Sequence, residues 1–418
     1  MNKIKLFPHQ QDSMDVTKDL NKVAYYLDMG LGKTFVGSEK LKELNAKKNL
    51  VIVQKSKMED WIEHFEEFYN YPVYNLRNKK EMDEFLQTEY QSVGIINYEL
   101  TFRRTELLEL EDITLMLDES SYIKNEKAKR TRFIMRLNAK NVILLSGTPV
   151  SGKYEELWSQ CRLLGWNISK RAFWNTYIIT HKIDVGGFPI EIVTGYKNVD
   201  RLKRKLSEYG AVFMKTEEVI ELPEQIESDI IVKKIPEYNK FVKHSYVDLG
   251  DVELIGDTTL TKMLYERQLS GMYNKHKIGA FREHIEGTND RVIVFYNFTK
   301  EYEILRKEVE KLDKPISVVN GKTRDLSNYE TKDNTITFIQ YQAGSTGLNL
   351  QKSNKIVYFT PPLSAEHFMQ SKKRTHRIGQ ENTCFYYFMK VEGSIETKIY
   401  RALEKGEDYT NKLFEKSL

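Results

Sequence analysis

The sequence predicts an α/β protein in which two parallel sheets, each covered by helices, form two successive lobes. Three observations predict it. The 418 residues exceed what one hydrophobic core supports, so two domains are expected. From Lys22 to about Gly165, short apolar runs alternate with amphipathic stretches, the pattern of parallel strands and their crossover helices. After a mixed and charged interval, strand-like runs resume at Arg291.

In the first stretch the predicted strands are 22–27, 50–53, 93–96, 115–117 and 142–145. The pattern stops near Trp166, which sets the expected divisions at 1–165 for the first lobe, 166–270 for an insertion and linker region, and 271–418 for the second lobe. Within the middle region Gly186-Gly187 marks a hairpin, and Arg201-Leu202-Lys203-Arg204-Lys205 a basic helical stretch. The second lobe draws strands from 291–295, 336–339 and 355–359.

With 40% hydrophobic and 30% charged residues the chain is a folded globular protein, not a disordered one. A net charge of +4 does not by itself argue for nucleic acid, so local clusters must carry that case. Cys161 and Cys384 lack metal-ligand spacing and fit a reducing compartment better than a disulfide framework. No apolar run approaches the roughly 18 residues that span a membrane, and the start has no secretory apolar region, so a cytoplasmic protein is expected.

Chemistry concentrates first at Leu27-Asp28-Met29-Gly30-Leu31-Gly32-Lys33-Thr34, between a predicted strand and a predicted helix. Helix N-termini present free N–H groups and a positive dipole end to anions. Gly30 and Gly32 would let backbone approach phosphates, Lys33 would reach the terminal ones, and the Thr34 hydroxyl could ligate Mg²⁺. The strict phosphate-loop pattern wants another glycine where Leu27 stands, so alone the segment also fits a tight strand-to-helix turn. A second run, 113–117, ends in the adjacent carboxylates Asp118 and Glu119. Two acids at the end of a buried strand need something positive opposite them. In a nucleoside triphosphatase the first would hold Mg²⁺ and the second would orient or deprotonate the attacking water. A third run, 141–145, leads into Ser146-Gly147-Thr148-Pro149, where Ser146 and Thr148 suit a relay that feels the state of the phosphate.

The second lobe has small residues at Ala343-Gly344-Ser345-Thr346-Gly347-Leu348-Asn349-Leu350, and a basic segment running from Gln370 through Lys372, Lys373, Arg374, His376 and Arg377 to Gln380. Arg374 and Arg377 stand three apart on an expected helix, so both guanidinium groups could point one way. An arginine brought to a triphosphate stabilises charge on the transferring phosphoryl group. A solvated basic helix face would read the same.

These segments together resemble the Swi/Snf-type ATPases, the double-stranded DNA translocase branch of the superfamily-two helicases, nearly end to end. Phe7-Pro8-His9-Gln10 resembles the adenine-reading motif, with Gln10 in the glutamine position, and Asp28 to Thr34 the family's shorter phosphate loop. Val51 to Trp61 resembles motif Ia, Asn97-Tyr98-Glu99 the next strand-end motif, Asp118-Glu119-Ser120-Ser121 motif II, and Ser146-Gly147-Thr148-Pro149 with Glu156-Leu157-Trp158 motif III. Val292 to Thr299 resembles motif IV, Ala343 to Leu350 motif V, and Gln370 to Gln380 motif VI. Within the last, His376-Arg377-Ile378-Gly379-Gln380 is the most family-specific string. Ser121 stands where the family usually has histidine, and Ser120 where it usually has alanine.

The resemblance implies two tandem RecA-like lobes with small helical and hairpin insertions, binding ATP with Mg²⁺ between them. It implies Lys33, Asp118, Glu119, Gln370, Arg374 and Arg377 as catalytic groups, with Gln10 and residues 29–34 binding ATP and Ser146 and Thr148 coupling. Double-stranded DNA would be held without sequence preference, with Lys124, Arg130, Lys372 and Lys373 as contacts. The expected form is a minimal bacterial or bacteriophage motor, monomeric and cytoplasmic, with any protein partner left open. Two other functions fit the same motifs: a strand-separating helicase, and a nucleotide-gated clamp with weak hydrolysis.

Overall fold

The computed structural model describes residues 4–185, 188–250, 252–344 and 348–414. The chain divides into two compact units, the first running to Val219 and the second from Ile220 to Glu407, with the end of the chain from Asp408 counted with the first.

The first unit is built on β1 (Lys22–Leu27), β2 (Lys48–Val53), β3 (Val73–Asn75), β4 (Ser92–Asn97), β5 (Ile113–Asp118) and β6 (Ala139–Leu145). Then come a hairpin of β7 (Ile178–Val185) and β8 (Phe188–Tyr196), and β9 (Ala211–Met214). The main sheet has the order β3-β4-β2-β5-β6-β1-β9, and all of its pairings are parallel. Alternate residues of its strands feed two separate cores. Ala24, Tyr26, Leu50, Ile52, Leu115, Leu117, Val142 and Leu144 pack on one face, and Val23, Tyr25, Leu27, Val51, Val53, Met116, Ile143 and Leu145 on the other. The two-residue side-chain period of a strand makes this division, and a sheet buried on both faces needs the unbroken apolar runs seen in the sequence.

The strands expected in this lobe are all present, but the sheet continues past the point where the sequence pattern stops. β9 joins the edge beside β1, with Ala24 opposite Ala211 and Leu27 opposite Met214. Its four residues are too short, and too isolated from other strands in sequence, for periodicity to announce them. The basic stretch forms the helix Val199–Glu208. β7 and β8 pair antiparallel over their length, while Gly186 and Gly187 themselves lie outside the described residues.

The second unit contains β10 (Gln225–Val232), a small antiparallel pair β11 (Tyr246–Asp248) and β12 (Glu253–Ile255), and then β13 (Val292–Tyr296). These are followed by β14 (Ile316–Val319), β15 (Arg324–Asp325), β16 (Ile336–Gln340), β17 (Lys355–Tyr358) and β18 (Cys384–Val391). Its sheet order is β10-β18-β17-β13-β16-β14-β15, parallel except for the short β14–β15 pairing. Alternation again divides two cores, with Ile293, Phe295, Ile356 and Tyr358 on one face and Val292, Val294, Phe338 and Val357 on the other. The chain therefore holds two parallel-sheet α/β units, as the sequence predicts. Among the described residues no helix is long and apolar enough to cross a membrane.

Candidate functional site

The sheet order places three strands of the first unit side by side as β5-β6-β1, and parallel pairing aligns their carboxyl ends. Register fixes the alignment closely, because Leu145 lies opposite both Tyr25 and Asp118. The loops that follow, 28–32, 119–121 and 146–149, therefore emerge at one edge of one sheet. Ligands in open α/β sheets bind at this edge.

The loop after β1 is shaped by its glycines. Gly32 is the N-cap of the helix Lys33–Leu44 and has φ 75, a left-handed conformation that favours glycine. A Cβ at Gly32 would also run into the Gln10 amide. Gln10 is buried; its Nε2 donates to the Leu31 carbonyl at 3.1 Å, and its Oε1 accepts from the Phe7 amide at 2.9 Å. The glutamine is thus seated against the glycine loop that follows β1.

Lys33 Nζ donates to the carbonyl oxygens of Leu27 at 2.9 Å and Asp28 at 3.3 Å. These contacts fold the side chain back over its own loop. Gly147 of the loop after β6 comes close by, since a Cβ there would lie 3.2 Å from Lys33 Nζ. Asp28 anchors the loop from the other side. Its Oδ1 accepts from the Met29 amide at 2.9 Å, and its Oδ2 from the Thr216 hydroxyl at 3.1 Å. Thr34 lies half-buried on the first turn of the helix.

At the end of β5, Asp118 Oδ2 accepts the Trp61 indole N–H at 2.8 Å. Burial raises the Asp118 carboxyl above its ordinary range, while the Trp61 hydrogen bond and the positive charges of Lys33 and Lys57 act in the opposite direction. Tyr98 donates its hydroxyl to the Asp118 carbonyl at 2.8 Å. Glu119 has φ 54 and ψ 63, a left-handed conformation that is strained for a residue with a Cβ. Its Oε2 accepts from Ser146 Oγ at 3.2 Å, and the same Ser146 Oγ accepts the Thr148 amide at 3.1 Å. The Thr148 Oγ1 is buried with no hydrogen-bond partner among the described residues. The structure thus brings Gln10, Lys33, Thr34, Asp118, Glu119, Ser146 and Thr148 to one edge.

This constellation fits a magnesium nucleotide. The charge of Lys33 is felt at Asp118, and the Ser146 hydroxyl bonds the Glu119 carboxylate at 3.2 Å. Among the described residues no cluster of His, Cys, Asp and Glu could hold a metal alone.

In the second unit, the helix Ala365–Lys372 begins at a Ser364 cap and stops before the arginines. Arg374 and Arg377 were expected on a helix; they occupy turns after it. The Arg374 amide donates to Ser371, Arg377 to Thr375 and Gln380 to Arg377 in tight succession, and Gly379 follows at φ 93. The turn is pinned at several points. Gln380 Nε2 donates to Gln351 O and Ser353 O, each at 3.1 Å, and His376 Nε2 lies 2.8 Å from Pro223 O. Arg374 is 1% exposed, while Arg377 is half-buried with its Nε buried and lacking a hydrogen-bond partner among the described residues. Burial disfavours the charged form of Arg377. Gln370 is also buried, with its Oε1 lacking a partner among those residues. The centre of the expected motif V, 345–347, lies outside the described residues.

The expected DNA contacts fare differently from one another. Lys372 is not a surface charge. Its ammonium is held by Glu227 at 2.7 Å and Glu407 at 3.0 Å and lies over the Phe368 ring, so it is a buried ion-pair partner and not a free phosphate contact. Lys373 is half-buried. Lys124 donates to Ser151 Oγ at 2.8 Å. Arg130 Nε donates to the Tyr122 carbonyl at 2.9 Å, with its guanidinium over the Tyr122 ring. Lys124 and Arg130 are both half-buried and belong to the segment that follows the acid pair. Trp61 and Asp28 lie within the sequence motifs, and the fold gives them their hydrogen bonds to Asp118 and Thr216. Nothing in sequence pattern marks Thr216 as an anchor of the phosphate loop 188 positions away.

Residues 14–314 match the SNF2-related domain, and residues 276–379 match the helicase conserved C-terminal domain. YwqA of Bacillus subtilis, named for an ATP-dependent helicase/translocase, is 26% identical over 93% of this chain and 46% of its own length. The DNA repair and recombination protein RAD26 of Saccharomyces cerevisiae is 24% identical over 75% of this chain and 32% of its own. The chain thus spans less than half the length of either relative. The solved SWI2/SNF2 ATPase core of Sulfolobus solfataricus, in complex with double-stranded DNA, is 21% identical with a TM-score of 0.47, covering 99% of this chain and 94% of that one.

Proposed function

Since the chain belongs to the family of the SNF2-related domain, we propose that it is an ATP-hydrolysing motor that moves along double-stranded DNA without reading its sequence. The observation that supports this most is the meeting of Lys33, Asp118, Glu119 and Ser146 at the carboxyl edge of one sheet. Gln10 would face the adenine, and the amides of 29–34 the phosphates. Lys33 would exchange its two carbonyl contacts for the terminal phosphates. Mg²⁺, held by Thr34 and Asp118, would neutralise charge developing on the transferring phosphoryl group. Glu119 would take a proton from the attacking water. Arg374 and Arg377 would stabilise the equatorial oxygens in the transition state, and Gln370 would help to orient them.

DNA would be held through its phosphates, with Lys124, Arg130 and Lys373 as contacts. Lys372, already neutralised by two carboxylates, drops out of that set. A cytoplasmic monomer remains the reading for its setting.

One observation favours a second reading, strand separation. The hairpin β7–β8 carries Phe188 at 75% exposure, with Ile183, Ile190 and Ile192 also exposed, and an aromatic at the end of a hairpin can stack on a base. The test is phosphate release with and without duplex DNA. Stimulation by duplex of any sequence, falling steeply with salt, is expected. Turnover indifferent to duplex would count against a motor, and ATP binding without turnover on any nucleic acid would leave a nucleotide-gated clamp.

A further inference from the structure

Gln160 lies on the helix Trp158–Leu163, is fully buried, and belongs to none of the segments considered so far. Its Oε1 accepts two hydrogen bonds, from Ser120 Oγ at 2.8 Å and from the Tyr26 hydroxyl at 2.8 Å. Its Nε2 donates to the Pro149 carbonyl at 2.8 Å. The orientation of the carboxamide is determined by chemistry. A carbonyl only accepts, so the nitrogen must face Pro149, and the two hydroxyls must then both donate to the oxygen.

Each partner ends next to a group of the nucleotide site. Tyr26 precedes Leu27, whose carbonyl holds Lys33. Ser120 follows Glu119. Pro149 closes the loop whose Ser146 reaches the Glu119 carboxylate. One neutral side chain therefore joins all three strand ends, β1, β5 and β6, through uncharged partners. The acid-pair turn and the 146–149 loop are joined through the Glu119 carboxylate and also through Gln160. Ser120, Gln160 and Tyr26 are each 0% exposed, so water cannot replace a lost partner cheaply.

We infer that Gln160 and Ser120 are positioning residues that hold Glu119 in register with the 146–149 loop and transmit its movement during turnover to that loop. The inference rests on the proposed ATPase reading. The strained backbone at Glu119 is what makes such a brace necessary, because without it the turn would relax toward an ordinary conformation. Ser120 supplies the hydroxyl through which the turn is gripped, so the relay is written in this chain's own residues.

The test is steady-state ATP turnover of the full chain, with and without duplex DNA, for Gln160→Leu, Ser120→Ala and the double variant. Each is assayed well below its own melting temperature. Gln160→Leu should lower the DNA-stimulated kcat by about tenfold, with KM for ATP within about twofold of wild type. Ser120→Ala should lower it less, and should add almost nothing in the Gln160→Leu background, since both cut one link. Fully additive losses, a change confined to KM, or an unchanged kcat in Gln160→Leu would overturn the inference. If Gln160→Leu does not fold, the smaller Ser120→Ala carries the same comparison of kcat against KM. A wild-type protein without turnover would sink the ATPase reading alone. Hydrogen exchange at the Thr148 amide then decides the brace: faster exchange in Ser120→Ala than in wild type supports it, and equal exchange overturns it.

Discussion

Trp61 donates its indole N–H to Asp118 Oδ2 at 2.8 Å, joining the helix Met58–Phe68 to the first acid of the pair. Burial raises the Asp118 carboxyl, and this hydrogen bond opposes the rise by favouring the ionised form. Trp61→Phe keeps an aromatic side chain and deletes the donor. The Asp118 carboxyl should then rise further, because the ionised form loses the donor that favours it. The acid limb of the kcat/KM profile should move to higher pH, and kcat/KM at the acid end should fall by about tenfold, the size of one charge-assisted hydrogen bond. A profile that superimposes on wild type would remove Asp118 from the ionisations that matter.

Lys33 and Glu119 should fail differently. Lys33→Ala takes away the ammonium now resting on Leu27 and Asp28, so nucleotide binding and turnover should weaken together. Glu119→Gln keeps size and removes the base, so turnover should fall by about a hundredfold or more while ATP stays bound. Filter binding of ATP beside phosphate release separates the two. Wild-type turnover in Glu119→Gln would mean that the base has been assigned to the wrong residue.

Arg377 sits in a pinned turn with its Nε buried, a position that suits a planar fork better than a point charge. Arg377→Lys should therefore lower kcat by about a hundredfold or more and leave the affinity for ATP nearly unchanged. Weak binding with a normal maximal rate would place this arginine away from the transferring phosphoryl group.

How much of this the sequence discloses depends on how local each signal is. The glycine loop after β1, the acid pair and the Ser146–Pro149 loop are contiguous segments, and each follows a strand that the sequence predicts. β9 is missed because its four residues carry no period of their own, although it completes the first sheet. The helix expected under Arg374 and Arg377 gives way to turns, because tertiary hydrogen bonds from Gln380 and His376 outweigh helical propensity there. Lys372 reads as a surface lysine, since its partners Glu227 and Glu407 are distant in sequence. Gln160 and Thr216 act through contacts that only the folded chain creates.

His64 offers a pH dependence independent of catalysis. It is buried among Phe35, Trp61, Phe65, Phe68 and Tyr69, with Nε2 3.0 Å from Ser38 Oγ, and desolvation lowers its pKa from 6.5 to about 4. The unfolded chain then binds a proton that the folded chain refuses between those two values. Folding stability from this residue is complete above about pH 6.5 and is lost as pH falls toward 4, at up to about 1.4 kcal/mol per pH unit. Melting of wild type against His64→Phe from neutral to mild acid should show the variant with the shallower acid decline. Parallel declines would mean that other groups carry the acid sensitivity.

The proposed motor moves along an intact duplex driven by ATP. A triplex-displacement assay reads it directly, using a third strand bound to duplex DNA alongside a forked duplex as the control. ATP-dependent release of the third strand, absent in Glu119→Gln, with the fork left annealed, is the predicted result. Efficient opening of the fork without release of the third strand would contradict the account and favour strand separation.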